Sequence, residues 1–195
     1  MFPKLTIEKI IQFLLDTDLF STLSVTELSE IEAIMDIQRF RAGELIFSEG
    51  DIGDAWYVLF DGCVQVSKHM PFEKDETVAR LSSKACFGEM AILDSTPRSA
   101  TIFALENSTV FRFPRSKFER LLEEGRIGAY KLVRGMAIRL AQRQRLLNTQ
   151  IAELTREIEA IEAEMDLDRT DIFSLELTAE EDLSAIIGTK TIPPQ

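Results

Sequence analysis

The sequence is poor in the residues that build metal centres and disulfide frameworks. Among 195 residues there are one histidine, His69, and two cysteines, Cys63 and Cys86. A single histidine argues against multi-histidine metal sites and histidine-based catalytic triads, and two cysteines cannot form a four-cysteine zinc or iron–sulfur site. Two cysteines are also too few for the disulfide framework of a small secreted domain. We therefore expect no metal site, no required cofactor and no enzymatic activity.

Long hydrophobic runs and an excess of basic residues are also lacking. No apolar run approaches the ~20 residues that span a bilayer, and the first residues do not follow the pattern of a signal peptide. The formal charge of −11 counts against general binding to nucleic-acid phosphates. Hydrophobic residues at 45% and charged residues at 28% are typical of a globular protein. These features predict a cytoplasmic protein that contacts neither membrane nor DNA.

Helical patterns open the chain, and residues 1–38 are predicted to form an N-terminal helical segment. Apolar residues recur at helical spacing between Leu5 and Leu15. Ser24 stands three residues before Glu27, which is the pattern of a capping box and predicts the start of a second helix.

Short β-prone segments separated by turn residues follow in residues 39–124. Their number and spacing predict a small antiparallel barrel or sandwich. Asp61 and Gly62 lie between two apolar segments and predict a β-hairpin, because glycine accepts the positive φ of such a turn. A longer exposed loop is expected at residues 70–75. Six β-prone segments are recognisable, at residues 44–49, 55–60, 63–68, 77–82, 99–104 and 109–113.

A long helix is predicted for residues 125–165, followed by an acidic tail at 166–195 with room for a short helix near 179–187. Residues 133–165 follow a heptad repeat, which predicts a homodimeric coiled coil. Isoleucine at a and leucine at d favour parallel strands, yet Glu157 would then face the partner's Glu162, so the orientation stays open. The ten seam positions are Val133, Ala137, Leu140, Gln144, Leu147, Ile151, Leu154, Ile158, Ile161 and Met165.

The segment Phe87–Ile102 (FGEMAILDSTPRSATI) carries the functional chemistry. Gly88 allows close backbone approach, and free N–H groups at the start of the following turn can bind an anion. Arg98 adds a planar cation that fits phosphate oxygens. Glu89 would repel a phosphate, but it can accept hydrogen bonds from sugar hydroxyls. One phosphate and one sugar hydroxyl indicate a nucleoside monophosphate rather than a polyphosphate.

This segment resembles the phosphate-binding cassette of the cyclic nucleotide-binding domain family, F-G-E-x-A-[LI]-[LI]-x-x-x-P-R-x-A-[TS]-[VI], at every fixed position. The run Glu49–Val66 (EGDIGDAWYVLFDGCVQV) is similar to a second motif of that family. The chain therefore looks like a stand-alone, catabolite activator protein-like member without a helix-turn-helix. The resemblance implies an α+β, mainly β fold: an eight-stranded antiparallel jelly-roll barrel with N-terminal helices and a long C-terminal helix.

The resemblance also implies a 3′,5′-cyclic nucleotide as ligand. Glu89 would bind the ribose 2′-hydroxyl and Arg98 the cyclic phosphate. Ser99 resembles the position in bacterial activators that favour cAMP, although a serine could also reach a guanine, so cAMP is preferred over cGMP only weakly. Arg143 and Gln144 fall where the family contacts the base, and Gln144 is alternatively a polar seam residue. The candidate ligand-binding residues are Gly88, Glu89, Met90, Ala91, Arg98, Ser99, Ala100, Arg143 and Gln144.

We expect a non-enzymatic cyclic-nucleotide receptor that signals through its dimeric helix to an unidentified effector protein. An alternative is an oligomerisation scaffold whose barrel no longer binds nucleotide. A DNA-binding regulator is a third hypothesis, which the charge of −11 and the acidic tail disfavour. The acidic tail is further expected to fold back on the basic part of the long helix or to cover the pocket.

Overall fold

The computed structural model describes residues 5–69 and 76–187, with side chains for residues 5–69 and 77–163. It divides into two compact units at the bond between Arg139 and Leu140. The predicted loop at 70–75 lies outside the described residues. None of the described helices is long and apolar enough to cross a membrane.

The N-terminal segment forms α1 (Ile7–Leu15), a 3-10 turn (Asp18–Phe20) and α2 (Val25–Glu32). The predicted capping box is present, because Glu27 N donates to Ser24 Oγ at 3.3 Å and Ser24 N donates to Glu27 Oε2 at 2.7 Å. The helical segment ends earlier than its predicted boundary at residue 38. Strand β1 (Asp36–Phe40) begins at Asp36, whose carboxylate is held by ion pairs with Arg112 and Lys117.

Eight strands are found in the described part of the chain, in two four-stranded antiparallel sheets. The first sheet has the order β1, β8 (Ser108–Pro114), β3 (Ala55–Asp61) and β6 (Cys86–Phe87). The second has the order β2 (Leu45–Phe47), β7 (Thr101–Ala104), β4 (Val64–Lys68) and β5 (Glu76–Leu81). The predicted antiparallel β structure is confirmed, but no ladder between described strands joins the two sheets into a closed barrel.

The turn at Asp61 and Gly62 connects the two sheets, so the predicted hairpin is wrong. Gly62 has the expected positive φ, +98°, yet β3 pairs with β6 and β8 whereas β4 pairs with β5 and β7. A Cβ at Gly62 would lie 2.4 Å from Ser108 Oγ. The turn is therefore pressed against the start of β8, and the chain passes into the second sheet instead of folding back along β3.

Strand β3 is buried on both faces and separates two apolar clusters. Trp56 and Val58 lie in the cluster that includes the helices. Trp56 also stacks on Phe113 of β8, with ring centroids 4.1 Å apart. Tyr57 and Leu59 point to the other face, into a cluster that holds residues of both sheets. This double burial explains the nearly continuous apolar sequence of the strand. The second cluster includes Phe87 and Ile102, the two ends of the segment predicted to bind the ligand. Its members are Phe47, Ala55, Tyr57, Leu59, Val64, Phe87, Ile102 and Val110.

Two helices follow β8: α4 (Arg115–Glu123) and α5 (Ile127–Ile187). The long helix that the heptads predict is present, and it continues past residue 165 through most of the segment assigned to an acidic tail. Residues 188–195 and the side chain of Met165 lie outside the described part. Five seam residues of the second unit are exposed in the single chain: Leu147, Ile151, Leu154, Ile158 and Ile161.

Candidate functional site

The cassette predicted at residues 87–102 folds as a strand end, a turn, a short helix and an extended return. Strand β6 ends at Phe87, because Gly88 takes a φ of +75° and leaves the extended region. Glu89 occupies the N-cap position of the four-residue helix α3 (Met90–Leu93), and the chain then returns to β7 at Thr101. The N–H groups of Met90 and Ala91 lie at the start of α3, where helix geometry leaves them no acceptor within the helix.

Arg98 is the buried cation of the site. Only 4% of its surface is exposed, and its guanidinium carbon lies 4.1 Å from the centroid of the Phe47 ring. Nη1 donates to the Gly88 carbonyl oxygen at 3.0 Å, and Nη2 lies 3.3 Å from Asp54 Oδ1. Burial lowers the pKa of Arg98, but a guanidinium remains charged at neutral pH. The aromatic face and the carboxylate thus partly replace the water that this cation loses.

One donor of this guanidinium has no acceptor. Arg98 Nε is buried and has no hydrogen-bond partner. Leaving a buried donor unsatisfied costs about 1–3 kcal/mol, so an anion that reached this edge would recover a charge-assisted hydrogen bond. The donor set suits a phosphate oxygen, which is the group that the sequence assigns to Arg98.

The backbone of the cassette is held against the loop that precedes β3. Arg98 N donates to the Asp51 carbonyl oxygen and Gly50 N donates to the Arg98 carbonyl oxygen, each at 2.9 Å. Ala91 is buried, and a Cβ at Gly53 would lie 2.1 Å from its own Cβ. Only glycine at position 53 permits this approach. The motif Glu49–Val66 and the cassette therefore form one structure, as their joint appearance in the sequence suggests.

Asp54 carries a role that the sequence analysis missed. Its Oδ1 contacts Arg98 and its Oδ2 lies 2.6 Å from Arg112 Nη2, so one carboxylate bridges two arginines. Arg112 in turn pairs with Asp36 at 3.2 Å. Asp54 is the second aspartate of the run Glu49–Val66, and this motif was the signal in the sequence that could have identified it. The contact itself was not predictable, because Asp54 and Arg98 are 44 residues apart in the sequence.

Arg115, at the first position of α4, joins the cassette to that helix. Its Nη1 donates to the Ala91 carbonyl oxygen at 3.3 Å and its Nη2 to Ser95 Oγ at 2.6 Å. Its backbone N–H donates to the Asp54 carbonyl oxygen at 2.7 Å. The start of α4 is therefore hydrogen-bonded both to the cassette and to Asp54, which precedes β3.

A lysine side chain donates a hydrogen bond to the extended segment that leads from the cassette into β7. Ser99 is exposed, its carbonyl oxygen accepts from Lys68 Nζ at 3.1 Å, and its Oγ lies 3.9 Å from Met90 Sδ. Lys68 also pairs with Glu49 at 3.1 Å. Hydrogen bonds from the His69 N–H and Lys68 lower the pKa of Glu49. Ala100, which is half-buried, follows directly and leads into β7.

Glu89 is half-buried at the cap of α3, close enough to Cys86 for their charges to interact. The pKa of the Cys86 thiol is raised to about 12, mainly by burial; Arg139 opposes this shift and Glu89 adds to it. The position of Glu89 beside the cassette turn agrees with its predicted place. Its contact with a ribose hydroxyl stays a prediction.

Arg143 and Gln144 lie on α5 in the second unit and are both exposed. Gln144 Nε2 donates to Asn148 Oδ1 at 3.1 Å, along the same helix. Seven of the nine predicted residues therefore fall within one local structure. The two on α5 stay predictions, as does their contact with a nucleotide base.

Residues 37–125 match the Cyclic nucleotide-binding domain family. The matched residues include the cassette, in agreement with its sequence. The match begins in β1 and ends two residues beyond α4. It therefore includes both sheets and all the contacts of Arg98 described above.

Individual relatives agree with the family match. A protein of Bradyrhizobium diazoefficiens named Glutaminase 1 is 34% identical over 142 residues, which are 73% of this chain and 22% of that protein. The cAMP-dependent protein kinase regulatory subunit of Debaryomyces hansenii is 34% identical over 110 residues, 56% of this chain and 24% of that protein. The chain thus spans about a quarter or less of these relatives' lengths.

Solved structures with the same fold include the catabolite activator protein of Thermus thermophilus. Its TM-score is 0.63 at 26% identity, over 70% of this chain and 62% of that one. The fold is thus similar to that of this activator protein, while the sequence similarity extends to kinase regulatory subunits.

Proposed function

We propose that the chain is a non-enzymatic receptor for a 3′,5′-cyclic nucleotide, with cAMP preferred over cGMP. One observation carries this function. Arg98 is a buried cation whose Nε has no acceptor, and it stands beside Gly88 in a cassette of the family's pattern. A buried, incompletely satisfied guanidinium is a site for an anion. The kinase regulatory relative, whose name includes cAMP, supports the choice of base.

In this receptor, Arg98 pairs with the cyclic phosphate. The N–H groups of Met90 and Ala91 and those of Ser99 and Ala100 complete the phosphate site. Glu89 accepts a hydrogen bond from the ribose 2′-hydroxyl, which orients the sugar. Arg143 and Gln144 contact the base when α5 closes on the ligand. Because nucleotide favours one packing of α5 over another, its differential affinity sets the limit of the response.

The response is transmitted to a protein partner by a homodimer formed through residues 133–165. Support comes from the heptad repeat and from the exposure of its seam in the single chain. The charge of −11 disfavours DNA as the output. The glutaminase-named relative shares only 22% of its length with this chain, and no catalytic role is proposed from it.

Calorimetry with cAMP tests the receptor function. Arg98→Ala removes a charge-assisted contact of about 1.5–3 kcal/mol, so affinity should fall at least about tenfold. Arg98→Lys retains the charge but not the fork and should still bind weakly. Arg80→Ala, which removes an exposed arginine of β5, is the matched control. Equal affinity of Arg98→Ala and the unaltered chain would refute the proposed role.

The alternative is a scaffold whose β domain binds no nucleotide, and the exposed seam of α5 is the observation that favours it. A thermal-shift screen with cAMP, cGMP, AMP and haem separates the two, because a ligand that binds only the folded state raises its melting temperature. A shift with a cyclic nucleotide supports the receptor. No shift with either cyclic nucleotide, together with a stable dimer, supports the scaffold.

A further inference from the structure

The described part of α5 in the second unit has an apolar face that nothing in the single chain covers. Leu147, Ile151, Leu154, Ile158 and Ile161 are 44–60% exposed. Their 4-3 spacing forms one stripe along the helix, as in a two-stranded coiled coil. A stripe of this kind is stabilised when a second helix packs against it, and a second copy of α5 offers the same pattern.

Charge along this helix changes sign near its middle. Residues 140–150 hold Arg143 and Arg145 and no acidic residue. Residues 151–163 hold four glutamates and one arginine. Two parallel copies place like charges side by side, whereas two antiparallel copies place the basic half of each against the acidic half of the other. All charged residues of this stretch are exposed: Arg143, Arg145, Glu153, Arg156, Glu157, Glu159 and Glu162.

The residues at the e and g positions, which flank the seam, distinguish a parallel pair from an antiparallel pair. In a parallel pair, Glu157 at g faces the partner's Glu162 at e, and this repulsion occurs twice by symmetry. In an antiparallel pair, g positions face g positions. With Ile151 packed on the partner's Leu147, Arg143 then lies opposite the partner's Glu157, and this attraction also occurs twice. Shifting the register by one heptad loses that pairing, although one of the two shifts brings Arg143 to the heptad position opposite Glu164, so the charges select the orientation and the cross-linking below tests the register.

The polar seam residue does not oppose this arrangement. Gln144 sits at an a position, where two facing amides would favour a parallel pair. Its Nε2, however, already donates to Asn148 Oδ1 at 3.1 Å along its own helix. The amide is therefore partly satisfied without a second glutamine, and in the antiparallel register it packs on the partner's Leu154.

We propose that the second unit pairs with a second copy of itself in antiparallel orientation, centred on Leu147 and Ile151, with Arg143 facing the partner's Glu157. This inference rests on the proposed homodimer and adds its orientation and register. It also implies that Arg143 contributes to the dimer interface, in addition to any contact with a ligand.

Glu157→Arg distinguishes the two orientations by the sign of its effect. In the antiparallel pair the new arginine meets the partner's Arg143, and the dimer should dissociate about tenfold more readily. In a parallel pair it would meet the partner's Glu162, and the dimer would tighten. Sedimentation equilibrium at low salt measures the dissociation constant, since screening weakens exposed pairs. Glu159→Arg, the same change off the seam, is the control, and Arg143→Glu combined with Glu157→Arg should restore dimerisation.

Cysteine cross-linking tests the register directly, in a chain that carries Cys63→Ser and Cys86→Ala. A mixture of Ile158→Cys and Leu140→Cys chains should form mixed disulfides, because these positions face each other. Ile158→Cys alone should form none, since its two copies lie about 27 Å apart along the axis at the helical rise. A disulfide from Ile158→Cys alone would overturn the antiparallel orientation.

Binding of cAMP is measured on the same samples by calorimetry. A parallel dimer that binds cAMP overturns this inference alone, and the receptor stands. A chain that stays monomeric at all concentrations overturns both the inference and the proposed homodimer. An antiparallel dimer that binds no cyclic nucleotide supports the inference and refutes the receptor.

Discussion

Arg98 Nη1 lies 3.0 Å from the carbonyl oxygen of Gly88, so the cassette closes on itself across ten residues. The same glycine leaves no space for a side chain, because a Cβ there would lie 2.7 Å from Nη1. The guanidinium position and the glycine are therefore mutually dependent. This relationship connects a backbone requirement to the orientation of the ligand-binding cation.

Gly88→Ala should consequently weaken nucleotide binding as well as stability. The φ of +75° strains any residue with a Cβ by about 1–2 kcal/mol, and the methyl group displaces the Arg98 fork. Gly43→Ala is the matched control, since Gly43 has a φ of +85° but no atom within 4 Å of a Cβ. We expect similar losses of unfolding free energy in both variants, with an affinity loss of about tenfold in Gly88→Ala only. Equal cAMP affinities of Gly88→Ala and Gly43→Ala, measured by calorimetry, would contradict the proposal that a side chain at position 88 displaces Arg98.

Cys86 should resist alkylation and make stability depend on alkaline pH. Burial raises the pKa of its thiol from 9.0 to about 12. Because the folded chain holds this proton more tightly than the unfolded chain, the contribution to stability is present below about pH 9 and is lost as the pH rises towards 12. Cys86→Ala should show a smaller decline in unfolding free energy over this range. Cys63→Ser, which leaves the Cys86 thiol in place, serves as the control.

The labelling experiment gives a second measurement of the same thiol. Iodoacetamide at pH 8 should modify Cys63 and leave Cys86 unmodified until denaturant is added, because the thiolate is the reactive form. Mass spectrometry counts the labels on each peptide. Rapid labelling of Cys86 in the folded chain would show that the thiol is more accessible than its burial indicates.

Ser24→Ala should lower the free energy of unfolding by about 1 kcal/mol, because it removes one half of the capping box of α2. Ser29→Ala, at an exposed position inside the same helix, should cost little. Urea unfolding followed by circular dichroism measures both variants. Nucleotide affinity should not change in either, which separates this effect from that of Gly88→Ala.

Local features of the fold were predictable from the sequence because they depend on neighbouring residues. The capping box requires only Ser24 and Glu27, and the cassette is a contiguous segment whose Gly88 has the positive φ that its backbone needs. The long heptad repeat likewise predicts a long helix by itself. In each case the pattern lies within one contiguous segment of the chain.

Strand pairing and distant contacts were not predictable in the same way. The turn chemistry of Gly62 indicates a positive φ, but it does not say which strands will pair with β4, and here β5 and β7 do. Asp54 meets Arg98 and Arg112 only after two sheets have formed. No periodicity encodes such contacts, because their partners are 44 and 58 residues away.

Arg115 limits how far the cassette can move by itself. Its guanidinium bonds to Ala91 and Ser95, and its N–H bonds to Asp54, so the first turn of α4 shares its anchors with the anion site. If an incoming molecule displaced α3, either these bonds would break, at about 0.5–1.5 kcal/mol or more each, or α4 would shift with it. In the second case, rearrangement at the pocket would become displacement of a helix, because Arg115 bonds directly to the cassette.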